Sequence, residues 1–258
     1  MACAILGGLI AAGQPAGHFL VVEPHEPQAA LVGEKFGVRT EPIGGELSGA
    51  ADIVVWAVKP QVFGEAAAAH FPFLSRALHL SVMAGIRTDA IARAAGAERV
   101  VRAMPNTPAL IGEGIAGLFA RGAVTDADRA AIERVLAPTG QTLWVGQESD
   151  LDAVTALSGS GPAYVFFFLE AMMQAAADMG LSPEQGRVLA QATFKGATSL
   201  AHASDESPAT LRSRVTSKGG TTYAAITAME AAGVKPAIVA ALRAAQARAK
   251  ELGDEFGG

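Results

Sequence analysis

The sequence predicts an α/β chain: a doubly wound sheet whose first strand is missing, followed by an all-helical domain. Three observations lead there. Up to about residue 145, short apolar runs alternate with helical stretches, the mark of βαβ units. From Leu151 onward no strand pattern remains. And Met1 opens almost directly into a helical pattern, with Ala2, Ile5, Leu6, Leu9 and Ile10 recurring at helical spacing where a parallel sheet needs a strand. The change of character near 147–150 divides the chain into an α/β domain over 1–150 and a helical domain over 151–258.

Each element has its own signal. Phe19-Leu20-Val21-Val22 reads as a strand ending at Glu23, and 27–36 as a helix. Residues 52–58 form a near-continuous apolar strand, the kind buried on both faces of a parallel sheet. Pro60 follows at a favourable helix start. Residues 77–83 are a strand with Ala84-Gly85 as its exit, and Thr88-Asp89 opens a helix ending near Gly96. Further strands are expected at 100–104, 114–120 and 141–145, the last two flanking a helix capped by Thr125-Asp126. Helices are then expected at 164–179, 183–203, 209–215, 222–232 and 236–252, separated by turn signals such as Lys218-Gly219-Gly220. The tail 253–258 is expected to fray.

Composition excludes several classes. Half of the 258 residues are hydrophobic and 17% are charged, below the roughly 25% typical of globular chains, so the chain is not disordered. Net charge is −5 with no Lys/Arg block, which argues against nucleic acid as a partner. Cys3, the one cysteine, excludes an intrachain disulfide and a cysteine zinc cluster, and fits a cytoplasmic location. It reads as buried filler. His18, His25, His70, His79 and His202 show no metal-ligand spacing, so no metal site is expected, and His79 reads as core. The uncharged stretch 1–22 is broken at Gly13-Gln14-Pro15-Ala16-Gly17, short of a membrane span, so no membrane partner is expected. Phe166-Phe167-Phe168-Leu169 places apolar groups all round a helix, which points to burial in a homodimer.

A dinucleotide fold would open with a strand and a Gly-x-Gly-x-x-Gly turn. Neither is found, and Gly7-Gly8 sits inside the helical pattern. In strand order 3-2-1-4-5-6 the missing strand is central, so its loss leaves two neighbours short of a ladder and opens the phosphate site. Glu23 at a strand end can bond a ribose 2′-hydroxyl and repel a 2′-phosphate, favouring NADH; the alternative is a solvated loop acid. Ala57-Val58-Lys59-Pro60 leaves the carboxyl end of a buried strand, where open α/β sheets bind ligands, and so does Met83-Ala84-Gly85; ordinary strand-to-helix turns are the competing reading. Asn106, in Met104-Pro105-Asn106-Thr107-Pro108, offers an amide at another strand end. Two glycine-rich segments read as anion holders: Ser158-Gly159-Ser160-Gly161-Pro162, and Ser217-Lys218-Gly219-Gly220-Thr221-Thr222, where simple N-capping by Thr221 is the alternative.

These segments, in this order, resemble the pyrroline-5-carboxylate reductase family. Ala57-Val58-Lys59-Pro60-Gln61, Arg102 through Leu110, Ala153 through Tyr164 and Gly219-Gly220-Thr221-Thr222 all match its pattern, over essentially 1–252. The resemblance implies a Rossmann-like domain and a helical dimerisation domain, often assembled into larger rings. It implies reduction of pyrroline-5-carboxylate to proline with NADPH or NADH as cofactor. Glu23, Ala57, Val58, Lys59, Pro60, Ala84, Gly85 and Asn106 would then serve the cofactor. Ser217, Gly219, Gly220, Thr221 and Thr222 would hold the substrate, Thr222 would be catalytic, and Glu148 would also contact substrate. Departures are Lys218 for a usual proline, Met83 for a small residue, and Arg214 where some members carry an amide. Other imine or β-hydroxyacid reductases are the runner-up; Lys195, the only lysine between Lys59 and Lys218, lacks the hydroxyacid motif. A non-catalytic dimerising remnant is the second alternative.

Overall fold

In the computed structural model, which describes residues 1–44 and 49–256, the opening apolar run folds as α1 (Ala2–Ala11). Its glycines are packing positions. A Cβ on Gly7 would meet the Phe36 ring at 2.9 Å, and one on Gly8 would meet Pro138 at 2.7 Å. Cys3 is exposed, not buried, because α1 turns Ala4 and Ile5 inward. β1 (Leu20–Val22) is followed by α2 (Glu26–Phe36), which stops at Gly37 in the left-handed region (φ 66°). β2 (Arg39–Glu41) pairs parallel with β1; with no apolar run, it has no sequence signal.

The main sheet holds β3 (Ile53–Trp56), β4 (Leu78–Ser81), β5 (Val100–Met104), β6 (Gly114–Ala120) and β7 (Gly140–Trp144), in that spatial order. α3 (Phe63–Leu74), α4 (Thr88–Ala95) and α5 (Asp126–Leu136) connect them. The first three strands are parallel, β6 runs antiparallel to β5, and β7 is parallel to β6. This reversal departs from uniform winding. Only residues 105–113 join β5 to β6, fewer than the dozen or so a parallel crossover needs.

The sheet is interrupted where the missing strand was expected. Among the described residues β1 pairs only with β2, and β3 only with β4. Each is left with one edge outside any ladder, a row of backbone donors and acceptors unpaired by a strand.

The core lies on both faces. One cluster gathers Trp56, Phe63, Met83 and Ile91, and the other Ile5, Leu80, Val101, Leu118, Ile132 and Leu136. His79 is in the core, as expected: Nδ1 accepts from Trp56 Nε1 at 2.9 Å, and Nε2 lies 3.0 Å from the Leu74 carbonyl. Burial holds its pKa below the ordinary value.

The chain continues through α6 (Asp150–Val154), a π turn at Thr155–Gly159, α7 (Gly161–Asp178), α8 (Pro183–His202), α9 (Pro208–Arg214), α10 (Thr221–Ala231) and α11 (Val234–Phe256). A reciprocal Ser182–Gln185 capping box starts α8. Two compact units result: residues 1–162 with the described part of 244–258, and residues 163–243. The expected boundary at 150 lies inside the first unit, because Glu148, Asp152 and Ser158 bond to other parts of that unit. The tail does not fray from 253. Gly253 is buried with Arg87 so close that a Cβ would sit 2.7 Å from its Nη2, and Asp254 bonds Arg87 at 3.3 Å. Residues 257–258 lie outside the described residues. No single helix among the described residues is long and apolar enough to cross a membrane; α10 and α11 satisfy that test only as a pair bent by 53°.

Candidate functional site

Because β3, β4 and β5 are adjacent and parallel, their carboxyl ends share one edge of the sheet. The turns leaving that edge carry Ala57, Val58, Lys59 and Pro60, then Ala84 and Gly85, then Asn106. Lys59 is exposed and extended, and Pro60 opens a short 3₁₀ turn. Ala84 is exposed beside Gly85, whose φ of 78° suits a residue without a Cβ. Glu23 is half-buried at the end of β1 in the two-stranded sheet, where its carboxylate accepts from the His25 N–H at 3.0 Å.

Two expected ligand contacts are engaged inside the first unit. Asn106 donates through Nδ2 to the Ser158 carbonyl at 3.2 Å and accepts from the Ile115 N–H at 3.0 Å, so its amide joins the start of β6 to the π turn. Glu148 accepts three bonds: Oε1 from the Thr88 N–H at 2.8 Å and from Arg102 at 3.2 Å, and Oε2 from the Thr88 hydroxyl at 2.7 Å. Arg102 is 2% exposed. Burial draws its guanidinium pKa down, and Glu148 opposes that. Asp152, also buried, lies 3.6 Å from Arg87. Thr88, Arg102 and Asp152 were not among the residues expected at a site. The one signal for them was a charged residue inside the apolar strand Val100-Val101-Arg102-Ala103-Met104.

In the second unit, Gly219 has φ 78° and Gly220 is the N-cap of α10, with no side chain capping the helix. A Cβ on Gly220 would sit 2.8 Å from Ser217 Oγ and 3.2 Å from the Ser217 carbonyl, so the turn is tight there, and it is the positive φ of Gly219 that favours glycine. Thr221 and Thr222 are the first helical residues rather than caps. The other glycine-rich segment is not an open turn: Ser160 N–H donates to the Thr155 carbonyl at 2.8 Å, closing the π turn.

The β3–β5 edge fits the nicotinamide end of a dinucleotide, with exposed Ala57, Lys59 and Ala84 at its strand exits and Gly85 buried in the turn behind them. For the pyrophosphate, no glycine turn following a strand and leading into α1 is found among the described residues.

Such an edge, joined in sequence to an all-helical unit with a glycine-threonine helix start, defines a two-domain dinucleotide-dependent oxidoreductase. Residues 148–252 match the family described as pyrroline-5-carboxylate reductase dimerisation. The pyrroline-5-carboxylate reductase of Pseudomonas aeruginosa is 40% identical over 259 residues, covering 100% of this chain and 95% of that protein. The solved structure of the Coxiella burnetii reductase superposes with a TM-score of 0.91 at 36% identity, covering 97% of this chain and 94% of that one. The Plasmodium falciparum pyrroline carboxylate reductase with NADP bound gives 0.86 at 28% identity, covering 97% and 93%. The chain belongs to the pyrroline-5-carboxylate reductase family.

Proposed function

We propose that the chain reduces 1-pyrroline-5-carboxylate to L-proline, the last step of proline biosynthesis, and that Thr222 is the residue at the reacting nitrogen. The observation that carries this reading is the Gly219-Gly220-Thr221-Thr222 start of α10, inside the stretch that matches the dimerisation family. The substrate is a cyclic imine bearing a carboxylate. NADPH or NADH supplies the hydride.

The chain's own residues bind the substrate and orient the water that protonates it. The first N–H groups of a helix have no intrahelical partner, so those of Thr221 and Thr222, with the Gly219 backbone and Ser217 beside them, hold the substrate carboxylate. The close approach that Gly220 permits shapes this cradle. The Thr222 hydroxyl bonds at the ring nitrogen and orients the water that protonates it. Protonation makes the neighbouring carbon electrophilic. Hydride adds to that carbon, the C=N π pair goes to nitrogen, and a secondary amine results. Positioning of imine against nicotinamide supplies much of the acceleration. Glu23, Ala57, Val58, Lys59, Pro60, Ala84 and Gly85 contact the cofactor, and Asn106 fixes the edge beside it. The working form is a homodimer or larger ring in the cytoplasm. The test is turnover of the imine by the purified protein, followed by loss of reduced-nicotinamide absorbance. Turnover of a β-hydroxyacid without turnover of the imine would overturn the reading.

A further inference from the structure

α4 begins at Thr88, and its N-cap, Arg87, offers no side-chain acceptor. The acceptor comes instead from 60 residues away in the chain: the Glu148 carboxylate takes both the Thr88 N–H and the Thr88 hydroxyl. It does the work of a cap and places a negative charge at the positive end of the helix. The same carboxylate pairs with Arg102, a buried cation that also feels Asp152 and whose Nε has no hydrogen-bond partner.

The turn that ends on Thr88 is the one that carries Ala84 and Gly85. At its other end the Met83 N–H is bonded to Ser81 Oγ at 3.3 Å. Gly85 is three residues from Thr88, at most about 10 Å of extended chain. The position of Ala84 and Gly85 therefore depends on where Thr88 is held.

A substrate contact fits this carboxylate poorly. Its three bonds already come from protein donors. The open cavity it lines, about 470 Å³, has Asp89, Glu98 and Arg121 as its other charged walls, and Arg121 is paired with both acids. That wall repels an anionic imino acid.

We infer that Glu148 is a positioning residue for the cofactor edge, acting through Thr88 on the Ala84–Gly85 turn. The inference rests on the reading of that edge as the nicotinamide side.

The experiment uses the full chain with Glu148→Ala, Glu148→Gln and Thr88→Val. It measures NADH and NADPH dissociation constants by nicotinamide fluorescence, and separately the KM for the imine. Glu148→Ala should weaken binding of the preferred dinucleotide about tenfold while leaving the imine KM unchanged. Glu148→Gln, which keeps the shape and one acceptor, should fall between Glu148→Ala and the parent. Thr88→Val added to Glu148→Ala should add little, since both act through one contact. A raised imine KM with unchanged dinucleotide affinity would make Glu148 a substrate contact and overturn the inference. A lowered Tm with both constants unchanged would reduce it to a structural pair and overturn it too. If the unsubstituted chain binds neither dinucleotide, the reading of the edge fails before any substitution is made, and the inference goes with it.

Discussion

Leu80, Val101, Leu118, Ile132 and Leu136 of the first unit are fully buried. In the second unit, by contrast, Phe167 is 70% exposed, Met179 73% and Leu200 61%, and only Ala176, Gly186 and Ala190 are buried between residues 163 and 243. The first unit closes its core with its own helices. The second presents many of its large apolar side chains outward, the kind of exposure that marks an interaction surface when it is contiguous. Its match to a dimerisation family explains where that surface goes. The same hydrophobic effect thus acts within one chain in the first unit and between two copies in the second.

The sharpest way to break this comparison is a charge on the second unit's apolar surface. Phe167→Glu should raise the dimer dissociation constant by about 100-fold or more, because a two-fold interface loses the side chain twice and burying each one is worth roughly 1.5–3 kcal/mol. Leu31→Glu, on a 55% exposed leucine of α2, should leave assembly unchanged. Sedimentation of the two variants decides it. Equal effects would show that the first unit also assembles through its exposed apolar residues.

The next two predictions separate chemistry from stability. Thr222→Val in the second unit keeps the shape and removes the hydroxyl, so kcat should fall by the equivalent of about 1–3 kcal/mol with little change in Tm. Unchanged kinetics would leave Thr222 as only the second residue of α10. Asn106→Ala in the first unit leaves the Ile115 N–H and the Ser158 carbonyl without their partner. Its main cost should be stability, about 1–3 kcal/mol, measured by denaturant unfolding. A large rise in cofactor Kd with no loss of stability would put Asn106 at the cofactor instead.

What could be read from the sequence was local. The strands around Val54, Leu80 and Val101 are apolar runs, and helix ends at Gly37, Gly96, Thr125 and Ser182 carry their own stop or start chemistry. The interrupted sheet was also legible, from the helical spacing that begins at Ala2. Arg39-Thr40-Glu41 was not, because a three-residue polar strand forms only by pairing with β1. The reversal at β6 follows from connection length rather than from any residue pattern. Glu148 shows the limit most clearly: its partners lie 60 and 46 residues away, and nothing near it in sequence indicates a helix N-terminus or a buried arginine.

The smallest predicted effect also sets the two units apart, and it has its own optical probe. Both tryptophans, Trp56 and Trp144, lie in the first unit, so tryptophan fluorescence reports that unit alone. Two buried groups of that unit with shifted pKa values, His79 and Asp128, titrate in different windows. His79 is neutral in the fold, with its pKa below the ordinary 6.5 because of burial. As pH falls below about 6.5 the unfolded chain takes a proton that the folded chain refuses, so stability drops by at most about 1.4 kcal/mol per pH unit until the lower folded value is reached. Asp128 is held at about 2 by its bonds to Arg99, against 3.8 ordinarily, so its contribution persists above 3.8 and is lost as pH falls from there toward 2. The pH-shifted pair in the second unit, Glu184–Arg187, is on the surface, and solvent screening leaves it little weight. Between about pH 7 and 5 the tryptophan-detected Tm should therefore fall, and His79→Gln should flatten that slope while leaving the steeper loss near pH 3 in place. An unchanged slope in His79→Gln would mean that the neutral imidazole bonded to Trp56 is not what the first unit loses in mild acid.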